Sequence, residues 1–266
     1  MADDLERRNS RTARRVFVED LTEGPEGIRL SGETSRYVAR VLRLASGDPL
    51  TLFDGSGWEF DSTVQGIARG RVTVRVQGRR RGKRAPSVEI SLGLGLLKGQ
   101  KSELVLQKAV ELGVREIRPM VTSRTVRTVD PERAEQRVVR WEKIAREASR
   151  QSGRADVPKI RPVASFNQVV TEAASFDLRI LLSERAGQPL RAVARGIEAP
   201  TGKILVVAGP EGGFSPEEET LAVGHGFVPV SLGPRTLRAE TAAILGVGLV
   251  QFEFGDLGEL RRTGDP

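Results

Sequence analysis

The hydrophobic pattern of this chain changes period once, close to Pro86, and that change limits the fold more than any single residue does. Before it, apolar residues come in short stretches that alternate with polar ones: Val16-Phe17-Val18, Leu50-Thr51-Leu52-Phe53, Trp58-Glu59-Phe60 and Val72-Thr73-Val74-Arg75-Val76. Period two is what a half-buried strand requires, because successive side chains point to opposite faces of a sheet. The turn Asp54-Gly55-Ser56-Gly57 joins two of these stretches. One helix is expected among them at about 33–44, with Val38, Val41, Leu42 and Ala45 on one face and Arg36, Arg40 and Arg43 on another. Short strands with a single helix predict a small barrel.

After Pro86 strands alternate with helices. Apolar stretches at 88–97, 178–182, 204–207 and 227–231 read as strands. Helices are expected at about 102–112, from Asp130-Pro131-Glu132 to Gly153, at 166–174 and at 189–197. Asp130-Pro131-Glu132 is a helix start with a capping side chain, a proline at the first turn and an acid against the dipole, and Gly113 is a helix stop. Strand–helix alternation predicts an α/β domain with a mainly parallel sheet covered by helices on both faces. The expected organisation is therefore a mobile arm (1–14), a barrel (15–78), a basic linker (79–86), an α/β domain (87–255) and a tail (256–266). A chain of 266 residues is long enough for two such units.

Composition then removes whole classes of chemistry. There is no cysteine, which excludes disulfides, thiolate metal sites and cysteine nucleophiles. His225 is the sole histidine, which counts against zinc constellations and a Ser-His-Asp triad, and no metal is expected. No apolar run reaches the ~20 residues of a membrane span, and the N-terminus lacks the apolar core of a signal peptide, so a cytoplasmic location is expected. The net charge of +7 is uneven: residues 1–85 hold 17 basic and 12 acidic residues. The run Arg79-Arg80-Arg81-Gly82-Lys83-Arg84 suits either a solvated linker or a strip along a nucleic-acid backbone.

Two motifs carry candidate chemistry. The strand at 204–207 runs into Ala208-Gly209-Pro210-Glu211-Gly212-Gly213-Phe214 and then the capping box Ser215-Pro216-Glu217-Glu218. Glycines at the carboxyl end of such a strand let backbone approach a ligand, yet no Lys-Ser/Thr follows, so this is not a P-loop. The second motif is Ser231-Leu232-Gly233-Pro234-Arg235-Thr236-Leu237-Arg238-Ala239-Glu240-Thr241, which leads into nine apolar residues at 242–250. A helix apolar all round is expected to be buried on every side, in the core or at a subunit interface. The glycine-rich Gly93-Leu94-Gly95-Leu96-Leu97-Lys98-Gly99 lacks the spacing of a dinucleotide fingerprint.

Together Gly-Pro-Glu-Gly-Gly and, some twenty residues on, Leu-Gly-Pro-Arg-x-Leu-Arg-x-Glu-Thr resemble the RsmE family of ribosomal RNA methyltransferases, in the SPOUT superfamily. Arg40-Val41-Leu42-Arg43, the Leu-Phe-Asp-Gly of 50–57, Gln107-Lys108-Ala109-Val110-Glu111-Leu112-Gly113 and Gln151-Ser152-Gly153-Arg154 match in the same order, and the likeness covers nearly the whole chain from Arg15. The resemblance implies an N-terminal PUA-like barrel, a SPOUT domain with a trefoil knot, a homodimer formed through a helix around 239–250, and S-adenosylmethionine (SAM) as cofactor. It also implies N3 of a uridine in 16S, small-subunit, ribosomal RNA as target. Carried over by motif, Leu182, Ser183, Ala208, Gly209, Pro210, Glu211, Gly212, Ser231, Leu232, Gly233, Leu237, Arg238 and Thr241 would bind the cofactor. Arg15, Arg36, Arg40, Arg43, Arg124, Gln151 and Arg154 would face RNA. Ala239 stands where the family commonly has threonine, and Ser123 precedes Arg124 where glutamate is common.

Methyl transfer needs neither metal nor covalent enzyme intermediate, so the composition permits it, and it excludes the cysteine-adduct route to carbon-5 methylation. The proton on uridine N3 must leave before the nitrogen attacks. Arg154 and Arg238 are candidates to stabilise the resulting anion, and Glu211 or Glu240 to accept the proton. The residues leave two alternatives open: an RNA-binding ribosome-assembly factor without catalysis, and a methyltransferase acting on a different nucleotide.

Overall fold

The computed structural model describes residues 14–19, 21, 27–82, 88–125, 130–185, 187–196 and 202–258. They fall into two compact units: 14–82 together with Ser149–Val157, and 88–148 together with 158–258. Residues 1–13 of the expected arm, 83–86 of the expected linker and 259–266 of the expected tail lie outside the described residues.

The first unit is a five-stranded sheet of β1 (Arg14–Phe17), β2 (Ile28–Arg29), β3 (Pro49–Phe53), β4 (Trp58–Ala68) and β5 (Arg71–Arg81). The strand order is β1-β3-β4-β5-β2, parallel between β1 and β3 and antiparallel elsewhere. The alternating residues do what period two demands: Val72 and Val74 of β5 and Leu50 and Leu52 of β3 enter one core with Val16, Ile28, Leu30 and Val38. Ser149–Val157 joins this unit through the Gly57 N–H, which donates to the Ala155 carbonyl at 3.2 Å, and through bridges from Gly55 and Ser56 to Asp156.

Two expectations change here. The helix at 33–44 is α1 (Gly32–Arg36), capped by Ser31, followed by one π-helical turn over Tyr37–Val41. The Leu42 N–H donates to the Tyr37 carbonyl at 2.9 Å, five residues back, which widens the turn and rotates the residues beyond it. Val38 stays buried while Val41 is 66% exposed, and Arg43 leaves the helix in the left-handed region at φ 54°. Arg36, Arg40 and Arg43 are all exposed, but they do not form the single helical row that their spacing suggests. The basic run also does not begin as a linker: Arg79, Arg80 and Arg81 are the last residues of β5, paired with Phe60, Glu59 and Trp58.

The second unit is an eight-stranded sheet in which every pairing is parallel. Its strands are β6 (Glu89–Gly95), β7 (Glu116–Val121), β8 (Lys159–Ile160), β9 (Ala164–Ser165), β10 (Leu178–Leu182), β11 (Gln188–Pro189), β12 (Lys203–Ala208) and β13 (Val228–Ser231). Helices α2 (Lys101–Glu111), α3 (Pro131–Ser152), α4 (Phe166–Thr171), α5 (Leu190–Gly196), α6 (Pro216–Gly224) and α7 (Ala239–Phe254) connect or follow them. Along the main path the order is β11-β13-β10-β12-β6-β7-β8, with β9 against β7. Residues 204–208 of β12 and 90–95 of β6 are buried although they point alternately to both faces, the mark of a sheet covered on two sides. Gly113, at φ 88°, ends the turn after α2, and the Glu132 N–H donates to Asp130 Oδ1 at 3.1 Å, as the local sequence predicts.

The apolar helix α7 is not buried all round within one chain. Ala243, Gly246, Val247 and Val250 face the core, whereas Leu245 and Phe252 are 39% and 58% exposed. Gly246 packs closely there: a Cβ would come within 2.6 Å of Leu182 Cδ1, so the leucine side chain would have to move.

At the end of β6, a Cβ on Gly95 would lie 2.7 Å from both the backbone nitrogen and Cδ of Pro210. Neither backbone nor ring can yield without moving the glycine loop. Gly95→Ala is therefore expected to destabilise the fold by about 1–3 kcal/mol, the usual cost of overpacking. Urea unfolding monitored by circular dichroism checks this; an unchanged midpoint would show that the loop shifts freely.

Candidate active site

A cleft opens at the carboxyl ends of β10 and β13, adjacent parallel strands in register from Ile180↔Val228 to Leu182↔Val230. Its walls are Leu182, Ser183, Glu184, Val230, the loop from Ser231 to Leu237, and Ala242 of α7. This is the edge at which open α/β sheets bind ligands. The space between these walls, counted out into the open solvent at the mouth, is ≈ 490 Å³. The walls are held by their own polar groups. The Ser183 N–H donates to the Val230 carbonyl at 2.9 Å, its hydroxyl donates to Glu219 Oε1 at 2.9 Å, and the Arg185 N–H donates to that hydroxyl at 3.2 Å. In the facing loop the Gly233 N–H donates to Ser231 Oγ at 3.3 Å, and Gly233 takes φ 113°, a conformation that a side chain would strain.

The glycine loop does not line this cleft. Gly209 and Pro210 lie against Gly95, and the loop closes with the Gly213 N–H on the Pro210 carbonyl at 2.8 Å. Glu211 Oε1 accepts from the Lys98 N–H at 3.1 Å and lies 3.5 Å from Lys101 Nζ, which is also 3.3 Å from Glu240 Oε2. One ammonium thus joins the glycine loop to the first turn of α7. Burial pushes the Glu211 carboxyl up, but its own backbone N–H, that of Lys98 and the Lys101 charge outweigh this and hold it below the usual 4.5. Glu240 Oε2 is buried, with the lysine charge nearby but no aligned hydrogen bond. Arg238 is exposed immediately before α7, and among the described residues no carboxylate pairs with it. Thr241 is exposed one residue beyond Glu240.

The description "RNA methyltransferase domain" matches residues 83–251, and "RNA methyltransferase PUA domain" matches residues 30–77. Ribosomal RNA small subunit methyltransferase E of Bacillus subtilis is 30% identical over 247 residues, 90% of this chain and 96% of that protein. The chain belongs to the ribosomal RNA small subunit methyltransferase E family. The fold agrees: the Neisseria gonorrhoeae methyltransferase E, solved bound to SAM, superposes with TM-score 0.83 at 30% identity, over 92% of this chain and 99% of that one. A Legionella pneumophila protein solved with SAM reaches TM-score 0.84 at 34% identity, over 92% and 99%.

With the methyltransferase E family established, the remaining motif residues divide sharply. Leu182, Ser183, Ser231, Leu232, Gly233 and Leu237 line the cleft, while Ala208, Gly209, Pro210, Glu211 and Gly212 form the separate loop. Arg124 donates from Nη1 to the Gly212 carbonyl at 2.7 Å, so it braces that loop. In the first unit, Arg15 donates to the Glu59 carboxylate and, at 2.7 Å, to the Arg154 carbonyl. Arg154 grips Asp156 with Nη2 at 2.6 Å and Nε at 3.2 Å, and its side chain is 12% exposed. Burial, together with the nearby Arg80 charge, lowers the affinity of Arg15 for its proton. Gln151 is exposed on the last turn of α3.

The sequence reading missed Glu184, Val230 and Ala242 in the cleft, and Lys101 between the carboxylates. Lysine at the first position of a helix opposes the dipole, and that anomaly is the signal that could have exposed it. The sign of its effect follows from Glu211. A carboxyl whose folded value lies below 4.5 adds stability that is complete above that pH and lost as pH falls through the folded value. Lys101→Met is expected to move the Glu211 titration back toward 4.5 and to shrink this acid-side loss, leaving stability at pH 7 within about 0.5 kcal/mol. NMR titration of the glutamate carboxyls reads it directly, and an unmoved Glu211 midpoint would mean that the backbone donors alone set it.

Proposed function

We propose that this chain transfers a methyl group from SAM to N3 of a uridine in 16S ribosomal RNA of the small subunit, acting as a homodimer. The cleft between the β10 and β13 loops carries this reading: it lies at the carboxyl ends of two parallel strands, where open α/β sheets bind ligands, and similar folds hold SAM. Leu182, Ser183 and the loop from Ser231 to Leu237 would hold the cofactor, with Arg238 and Thr241 at its rim. The glycine loop at 208–212, which follows β12 beside β10, would complete the cofactor site from that side. SAM supplies, when bound, a sulfonium methyl group that an attacking nitrogen can take. The trefoil knot belongs to the same proposal.

The chain's own task is to make the uridine nitrogen nucleophilic. Glu211 and Glu240 both lie beside Lys101, and Glu211, held below its ordinary value, is a weaker base than a free carboxylate. Arg154 is neutralised by Asp156. Of the two candidate arginines Arg238 therefore remains to stabilise the uridine anion as the N3 proton is lost to solvent water, and its planar guanidinium suits the delocalised charge of the ring.

Arg238→Ala is expected to lower turnover by roughly 10²–10³-fold, the range for loss of one anion-stabilising donor. SAM affinity, measured by calorimetry, should stay within about twofold. Equal losses in both would make Arg238 a binding residue instead. Mass mapping of rRNA methylated in vitro tests the product: N3-methyluridine supports the proposal, and methylation at any other position overturns the target.

The dimer rests on the outward face of α7, where Leu245 and Phe252 are exposed, as is Leu104 of α2, the helix packed against α7. Leu245→Asp is expected to convert a dimeric mass in light scattering to a monomeric one. A wild-type mass of one chain at all concentrations would overturn the dimer.

A further inference from the structure

Arginines at the end of β5 fall into two electrostatic classes according to the face of the sheet on which they stand. Arg80 is spent inside the protein: it reaches Glu59 Oε2 at 2.7 Å and also pairs with Asp61. Arg79 and Arg81 point the other way, with their guanidinium carbons 4.8 Å and 4.2 Å from the centre of the Trp58 ring. Both are exposed, and among the described residues neither has a carboxylate partner. The pairing of Trp58 with Arg81 and of Phe60 with Arg79 across β4 and β5 sets this arrangement.

Stacking has a specific consequence for a guanidinium. The ring occupies its flat face, while its five N–H groups lie in the plane and stay free to donate. The side chain is also ordered in advance, so less rotamer freedom is lost when an anion arrives. Residues i and i+2 of a strand stand about 6.6 Å apart, comparable to successive phosphates along one polynucleotide strand. Two ordered, unneutralised guanidiniums anchored on backbone positions at that spacing complement a phosphodiester backbone.

We infer that Arg79 and Arg81, splayed and held by Trp58, form a clamp for two successive phosphates of the RNA substrate, and that Arg80 has no part in RNA contact. This rests on the RNA-methyltransferase reading above. It assigns to Trp58 a positioning role, that of keeping the two cations ordered.

The test is binding of intact 16S rRNA over a salt series, with SAM affinity measured on each variant. Arg79→Gln/Arg81→Gln is expected to lower RNA affinity at least tenfold and to make the plot of log K against log salt shallower by roughly 1.4, about 0.7 for each single-strand phosphate that is no longer neutralised. Arg79→Lys/Arg81→Lys keeps the charge but not the planar stack, and should weaken binding several-fold with the slope unchanged. Trp58→Leu should behave like the lysine pair. SAM affinity should be unaltered throughout, which reports the folded second unit, and circular dichroism reports the first. An unchanged slope in the double glutamine variant would overturn the clamp while leaving the methyltransferase reading intact. So would a slope equally reduced by Arg80→Gln. A wild-type chain that binds SAM but no RNA would overturn both.

Discussion

Burial of the central strands on both faces is the constraint from which the second unit follows. Residues 204–208 of β12 and much of β6 cannot meet water on either side, so their neighbours must be parallel strands and their connections must run through covering helices. Polar groups are thereby driven to the strand ends. Ser183 and Ser231 stand at the last positions of β10 and β13 or just past them, and the cleft lies between the loops that these residues start. The cleft opens at this edge because the interior between the covered faces is filled.

Charge pairing, rather than charge count, then decides what the surplus of basic residues can do. Arg15, Arg80 and Arg154 meet Glu59, Asp61 and Asp156, whereas Arg79, Arg81 and Arg238 meet no carboxylate among the described residues. A burial gradient runs with this division. Glu59 is 4% exposed, and removing one member of such a buried pair strands the other charge at a cost of about 3–5 kcal/mol. The paired arginines are thus tied to the fold, and the unpaired ones are available to a polyanion.

The order of elements was legible because period two and strand–helix alternation report burial directly, as did the capping box Ser215-Pro216-Glu217-Glu218 and the proline start of α3. What the sequence hid depends on pairings between distant segments. The π-helical turn at Tyr37 moves Val41 into solvent by adding one residue to a turn that spacing alone counts as regular. The stack on Trp58 depends on register shifts between Asp61 and Ser62 and between Val64 and Gly66, which no single strand encodes. Lys101 meets Glu211 and Glu240 only because α2, the glycine loop and α7 converge, and motif matching treats the three separately.

The absence of cysteine and the isolation of the one histidine bear on how such a site can work. His225 ends α6, where its N–H donates to the Ala222 carbonyl at 3.0 Å and its own carbonyl accepts from Arg179 Nη1 at 2.9 Å; it is not among the cleft residues. Histidine is the side chain whose ordinary titration falls near neutrality, so the cleft walls carry no group of that type to shuttle a proton. The nearby carboxylates are held by Lys101, and in Glu211 the balance lies below the ordinary range. A site with these parts does not gain rate by matching a base to the pH of the solution. On the proposed reading it would gain rate by fixing positive charge where the substrate becomes negative, a role that a permanent cation such as Arg238 would fill unchanged across the physiological range.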